Sequence, residues 1–366
     1  MAATEVQNNE DDINGETESE VSSIYQCGSV ISTVPDRHGF LGGSQYSPER
    51  KQAVPPEVIL RRERKWIRML NNWGLFMSTN YRKVRERCRK GIPPSIRLQA
   101  WLHLCGGQLL MKENPNLYEE LIKRPGDPKY IEDIKKDLHR QFPQHEMFVE
   151  NAPGQQELFQ VLKAYSILNS KVGYCQAQAP IAAFLLMHMP APQAFWCLVA
   201  VCDKYLVGYY SQGMETLIRD GDILFALLKR VSPVAYKHLK KQKMEPILYM
   251  TEWFLCVYTR TLPWESILRV WDMFLCEGVK IIFKVGLVLL KGCLGKTSII
   301  KRCPTTYETL QILRNPSQHI MEEEALVYQI SRLNLSEEDF EYEHQRQVLR
   351  RKAKDQASLS TATEND

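Results

Sequence analysis

The stretch AQAPIAAFLLMH, residues 177–188, carries apolar side chains on every face of a helix. A helix that is apolar all round must be enclosed by other elements rather than lie on a surface. Pro180 fits only in its first turn, where a missing N–H goes unneeded. The flanking segments repeat apolar residues at helical spacing, as in Leu158, Val161, Leu162, Tyr165 and Leu168. Similar patterns cover 57–70, 195–205, 217–228, 233–240, 247–259, 263–274 and 279–290, separated by proline or polar breaks. Alternating strand patterns are scarce and no fixed-period repeat is visible, so the expected fold is all-α with 177–188 at its centre.

The ends differ from this middle. Residues 1–34 are rich in Glu, Asp, Ser, Thr and Asn, too polar to offset the entropy of ordering, and are expected to be disordered. Residues 36–56 form a turn-rich connector with several glycines and prolines. The segment Arg61–Lys90 is strongly basic and ends in Arg82, Lys83, Arg85, Arg87, Arg89 and Lys90. It reads either as an electrostatic handle for an acidic partner or anionic lipid, or as a solvated helix face. Residues 304–334 suggest a closing helical subdomain, 341–352 a charged helix, and the remainder a polar tail.

At 366 residues, 44% hydrophobic and 25% charged, the chain can bury a sizeable core in one large or two ordinary domains. The net charge of +4 is too small to argue for nucleic acid, and no basic strip is interleaved with aromatic residues for base stacking. None of the ten cysteines is spaced as C-x-x-C, and Cys197, Cys202, Cys256 and Cys276 sit in apolar runs as small buried hydrophobes. No zinc pattern appears, and a reduced, cytoplasmic compartment is the simpler expectation. The acidic N-terminus lacks signal-peptide character, and the longest apolar runs are too short to span a bilayer. Any membrane association is therefore expected to be peripheral or through a partner.

Two polar side chains stand where a core would not ask for them. Ile131, Ile134 and Leu138 line one helix face, and Arg140 falls roughly 150° from its centre, toward solvent or a partner. Phe142 precedes Pro143, which disfavours continued helix, so the helix is expected to end about at Arg140. Gln176 follows Gly173 and Tyr174 and precedes the enclosed helix, near the positive end of its dipole, where phosphate is welcome. Each alone is equally read as an ordinary surface residue at a helix end.

Together these pieces resemble the TBC-domain family of Rab GTPase-activating proteins. The family's I-x-x-D-x-x-R motif appears as Ile134, Asp137 and Arg140, and its Y-x-Q motif as Tyr174 and Gln176. A third motif, an arginine and tryptophan following G-I-P, appears as Gly91, Ile92, Pro93, Arg97 and Trp101. All three occur in family order, and the block TEWFLCVYTRTLPWESILRVWDMFLCEG, residues 251–278, is also typical of these domains. GYCQAQAP at 173–180 and DRHGFLGG at 36–43 are most similar to the carabin-like subgroup.

The resemblance implies a multi-helix TBC domain of two helical subdomains over 91–295, after an acidic tail at 1–34 and a basic lead-in at 35–90. A helical extension at 296–352 and a tail at 353–366 follow. It implies a GTP-bound Rab-family GTPase as partner, stimulated by an arginine finger, Arg140, and a water-orienting glutamine, Gln176. Asp137, Tyr174, Arg97 and Trp101 would support them, and GTP and Mg²⁺ would come with the partner, since no phosphate-binding loop motif is present. Asp137, at i, i+3, can orient Arg140 by an ion pair.

Many family members follow the motif glutamine with Gly-Met, whereas Ala177 and Gln178 follow it here. Alanine stiffens the loop, and Gln178 becomes a second candidate. That departure supports an alternative, a TBC-fold scaffold that binds GTP-loaded GTPases without accelerating hydrolysis. A self-contained hydrolase lacks support, because His139, His145 and His188 have no serine or cysteine nucleophile paired with them. His188 reads as a satisfied core histidine, Asp220 and Asp222 as a turn around Gly221, and Arg97 otherwise as a surface salt bridge.

Overall fold

Prolines set many of the helix starts in the computed structural model, which describes residues 34–41, 54–150 and 152–363. Pro56, Pro94, Pro128, Pro153 and Pro233 each open a helix, where the ring's fixed φ is pre-organised and its missing N–H costs nothing. The basic lead-in forms α1 (Pro56–Leu70), α2 (Trp73–Thr79) and α3 (Tyr81–Arg89). Next come α4 (Pro94–Cys105), α5 (Gly107–Glu113), α6 (Leu117–Lys123) and α7 (Pro128–Leu138). The central group is α8 (Pro153–Leu168), α9 (Gln178–Leu186) and α10 (Ala191–Ala200), the last continuing into a π-helical turn, Val201–Tyr205. Then follow α11 (Glu215–Val231), α12 (Pro233–Lys241), α13 (Ile247–Leu255), α14 (Trp264–Glu277) and α15 (Lys280–Leu294). The chain closes with α16 (Thr297–Ile300), α17 (Thr306–Arg314), α18 (Gln318–Met321), α19 (Glu323–Arg332) and α20 (Glu337–Thr363). Among the described residues no strand forms beyond one antiparallel bridge, Phe40 to His145.

Every residue of α9 is buried, as its all-round apolar sequence requires. It packs on α7, α8 and α10, while α8 also meets α6 and α10. Aromatic rings join this group to α14: Phe184 lies 5.3 Å from Trp264 and 4.8 Å from Trp271, centroid to centroid. α14 packs in turn on α3, α4, α15 and α19, and α11 lies against α12, α13, α15 and α20.

Several sequence expectations shift. α7 ends at Leu138, two residues before Arg140, and Phe142 takes φ +42° rather than extended backbone. Gly106 ends α4 in the left-handed region, but Gly107 already opens α5. Leu168, the last of the apolar repeat, is exposed at the end of α8. Asp220 and Asp222 lie inside α11 rather than at a turn. Gly221 sits between them because a Cβ would come within 3.0 Å of Met250 and Pro246, so α11 and α13 pack too closely for a side chain. α13 ends at Leu255, four residues early. α20 begins before 341 because Ser336 and Asp339 cap it reciprocally.

The basic cluster is partly absorbed into this frame. Arg89 pairs with Glu277 of α14, and Arg87 bonds the Lys65 carbonyl and covers the Phe76 ring. Nine cysteines are described, all free, and no described helix is long and apolar enough to cross a membrane. The acidic segment 1–33 and the glycine pair Gly42 and Gly43 lie outside the described residues.

Candidate functional site

Arg140 lies two residues past the end of α7, its side chain 48% exposed beside one buried carboxylate. That carboxylate is Asp137, only 4% exposed, which forms an ion pair with Arg140 one helical turn away. The other Asp137 oxygen accepts the Tyr174 hydroxyl at 2.6 Å. Burial pushes the Tyr174 phenol up from its ordinary pKa, so it stays a donor. Gln141 closes the cluster by donating its amide to the Asp137 carbonyl at 2.9 Å. One buried aspartate thus joins the end of α7 to the loop that carries the glutamine.

That loop is shaped by a glycine. Gly173 has φ +65°, and a Cβ there would lie 2.1 Å from the Tyr130 ring of α7. Both the conformation and the space exclude a side chain. Tyr174 then points to Asp137, and Gln176 emerges exposed just before α9. The following pair resolves which glutamine faces out. Gln178 is fully buried, and its Oε1 accepts the Cys175 N–H at 3.0 Å, tying the loop to the first residue of α9. Ala177 sits at φ −67°, ψ −14°, which needs no glycine. The Ala-Gln pair therefore braces the loop with a bond that methionine could not make, and leaves Gln176 free.

Two adjoining cavities form the groove above these residues. One, of about 350 Å³, is bordered by Arg140, Phe142, Phe40 and Trp264. The other, of about 870 Å³, is bordered by Gln176, Leu248, Trp253 and Arg314. Pro180 and Arg260 border both, so the arginine and the glutamine open onto one surface depression.

Arg97 and Trp101 do not reach it. Arg97 is 8% exposed, so it is no surface salt bridge. Its Nε faces Asp272 Oδ1 at 3.3 Å, and its Nη2 donates to the Ile92 carbonyl at 2.7 Å. Trp101 Nε1 donates to the same Asp272 oxygen at 2.8 Å, and Ile92 N–H donates to the other at 2.7 Å. Asp272 is wholly buried, and burial raises its pKa against the pull of Arg97. This hub locks the G-I-P turn and α4 onto α14, and rings relay the packing onward from Trp101 through Phe184 to Trp264 at the groove.

Sequence reasoning missed Asp272, Phe40 and Trp264. The signal for Asp272 was present: an aspartate on the apolar face of VWDMF asks for a buried partner. The connector at 36–41 is a brace rather than a spacer. Leu41 N–H donates to the Gln144 carbonyl and Glu146 N–H to the Gly39 carbonyl, both at 2.7 Å, and Phe40 packs 4.9 Å from Trp264. Its glycine is needed, since a Cβ on Gly39 at φ +87° would lie 2.6 Å from His145. His188 packs 5.5 Å from Trp264 in the core, burial pushes its pKa down, and its Nε2 meets no hydrogen-bond partner among the described residues. Asp220 accepts the Tyr209 hydroxyl at 2.6 Å, and Asp222 pairs with Arg351. No group of His, Cys, Asp and Glu among the described residues could hold a metal ion.

An all-α frame carries an aspartate-held arginine and an exposed glutamine on one open depression between its helices. The chain belongs to the Rab-GTPase-TBC domain family, whose model matches residues 94–296. It is 55% identical over 344 residues to TBC1 domain family member whacked from Drosophila melanogaster, covering 93% of this chain and 94% of that protein. It is 57% identical to TBC1 domain family member 10A from Mus musculus, covering 86% of this chain and 63% of that protein. Mouse carabin is 45% identical, with 89% and 74% covered. The crystal structure of the Chlamydomonas flagellar RabGAP TBC domain superposes with a TM-score of 0.62 at 25% identity, covering 81% of this chain and 99% of that one.

Proposed function

We propose that this protein accelerates GTP hydrolysis by Rab-family small GTPases in their GTP-bound form, supplying Arg140 and Gln176 in trans. The observation that carries the reading is Arg140, half-exposed yet held by buried Asp137, on the same groove as the exposed Gln176. Hydrolysis on such GTPases is slow because charge building on the transferring phosphoryl group is poorly neutralised and the attacking water poorly held. A guanidinium is planar, permanently charged and bidentate, which suits the first task. A glutamine amide can accept from water while donating to a phosphate oxygen, which suits the second. GTP and Mg²⁺ arrive with the GTPase, and this chain binds no cofactor of its own. The chain is an activator rather than an enzyme in its own right.

Asp137 and Tyr174 set the aim of Arg140. Arg97 and Trp101 act at a distance by fixing α4 against α14. The biological setting that follows is vesicle trafficking, with the protein recruited from the cytoplasm to membrane surfaces by its partner.

The test is single-turnover GTP hydrolysis across a panel of purified Rab proteins, with wild type, Arg140→Ala and Gln176→Ala. Acceleration of at least one Rab, lost in both variants, is expected. Binding of a GTP-loaded Rab with no acceleration would replace this reading with the scaffold one.

A further inference from the structure

The block at residues 251–278 contains more than the packing face of α14. After α13 ends at Leu255, Val257 and Tyr258 both adopt left-handed backbone, at φ +47° and +61°. Non-glycine residues rarely go there, and β-branched valine is among the least suited. Both residues are wholly buried, and the conformation is over-determined from outside the turn. Trp271 Nε1 donates to the Val257 carbonyl at 3.2 Å, Tyr258 donates its hydroxyl to the Ile282 carbonyl at 2.9 Å, and Tyr258 N–H donates to the Trp253 carbonyl at 2.9 Å. Strained backbone held this firmly is typical of functional positions.

The turn delivers Arg260 to the groove. Arg260 borders both cavities, the one that Arg140 lines and the one that Gln176 lines. Its side chain is 45% exposed and, among the described residues, pairs with one carboxylate, Glu252, at 3.1 Å, itself 59% exposed. An ion pair this exposed adds little to stability, so it does not explain why the backbone is strained to present the arginine. The nearest Glu252 contact is at Nε, and a guanidinium carries five N–H donors, enough to take a second carboxylate. The same cavity offers apolar surface beside it at Leu248, 51% exposed.

We propose that Arg260 is a partner-recognition residue. It pairs with a carboxylate that the GTPase presents where the two cavities adjoin, while an apolar side chain of the GTPase packs on Leu248. Arg260 positions the partner and takes no part in the chemistry, which Arg140 and Gln176 perform. The inference rests on the proposed function, and the experiment separates the two.

Single-turnover hydrolysis is measured with a responsive Rab for wild type, Arg140→Ala, Arg260→Ala and Arg260→Lys, varying activator concentration and salt. For Arg260→Ala the half-saturating concentration should rise about tenfold, the maximal rate should stay within about twofold, and the salt dependence should become shallower. Arg260→Lys should fall between, since it keeps the charge and loses the fork. Thermal midpoints should match wild type, because the side chain is exposed. An unchanged half-saturating concentration overturns the inference, and so does a loss of maximal rate like that of Arg140→Ala. If wild type accelerates no Rab, the functional reading fails and carries this one with it. If wild type is active, Arg140→Ala is dead and Arg260→Ala is indistinguishable from wild type, only the recognition role fails.

Discussion

Replacing Asp137 with asparagine keeps the size of the side chain and its ability to accept from Tyr174, but removes the charge that holds Arg140. A hydrogen bond to a charged group contributes roughly 1.5–3 kcal/mol. Asp137 is buried while Arg140 is half-exposed, so water screens one side and the lower end applies, about 1.5 kcal/mol. If that free energy holds Arg140 in its productive aim, Asp137→Asn lowers the maximal stimulated rate about tenfold. Arg140→Ala removes the finger itself, an effect of about 10³–10⁵ in such systems. The assay is single-turnover hydrolysis at saturating activator, paired with thermal denaturation. Asp137→Asn should leave the half-saturating concentration near wild type, because the aim of the finger and not the docking of the partner has changed. Combined with Arg140→Ala it should add nothing, since Asp137 acts through Arg140. An equal loss of rate in the two backgrounds, or a rise in half-saturating concentration at full maximal rate, would refute the reasoning.

The two glutamines should separate cleanly: Gln176→Ala keeps the thermal midpoint and lowers the stimulated rate by about two orders of magnitude, whereas Gln178→Ala lowers the midpoint by freeing the Cys175 N–H. Gly173→Ala forces a Cβ into Tyr130 at a positive φ, and urea denaturation should show a loss of about 2 kcal/mol or more. Asp272→Ala leaves Arg97 buried and unpaired with no partner for Trp101 Nε1, which should cost about 3–5 kcal/mol in the same assay. Burial raises the pKa of Glu265, but bonds from His38 and Arg37 outweigh it and bring the carboxyl to about 2. A carboxyl depressed in the folded state stabilises above its unfolded pKa of about 4.3 and loses that contribution as pH falls toward 2. Urea midpoints for wild type should fall over that window more steeply than those for Glu265→Gln, and parallel curves would rule out the linkage.

The sequence by itself determined that this chain is helical, where most helices lie, and which arginine and glutamine to test. Helical period and proline position are local properties, so α8, α9 and α12 could be placed from neighbouring residues alone. The order of three short motifs pointed to Arg140 and Gln176 before any geometry was known. Helix ends were less legible. α13 stops at Leu255 because Trp271 and Ile282, far along the chain, hold Val257 and Tyr258 in a conformation their own sequence disfavours. Asp220 and Asp222 looked like a turn because glycine between aspartates usually is one. Close approach of α13 makes that glycine a packing residue instead.

Only the tertiary structure decided how the site is assembled. It separated Gln176 from Gln178 by burial, made Asp137 the joint between α7 and the glutamine loop, and set Arg260 on the border of both cavities. It turned the glycine-bearing connector at 36–41 into a brace and chose, for Arg97, a buried hub on Asp272 over a surface salt bridge. The physical reason is common to all of these. Each rests on contacts between residues distant in the chain, and such contacts leave no period or spacing in the sequence from which they could be read.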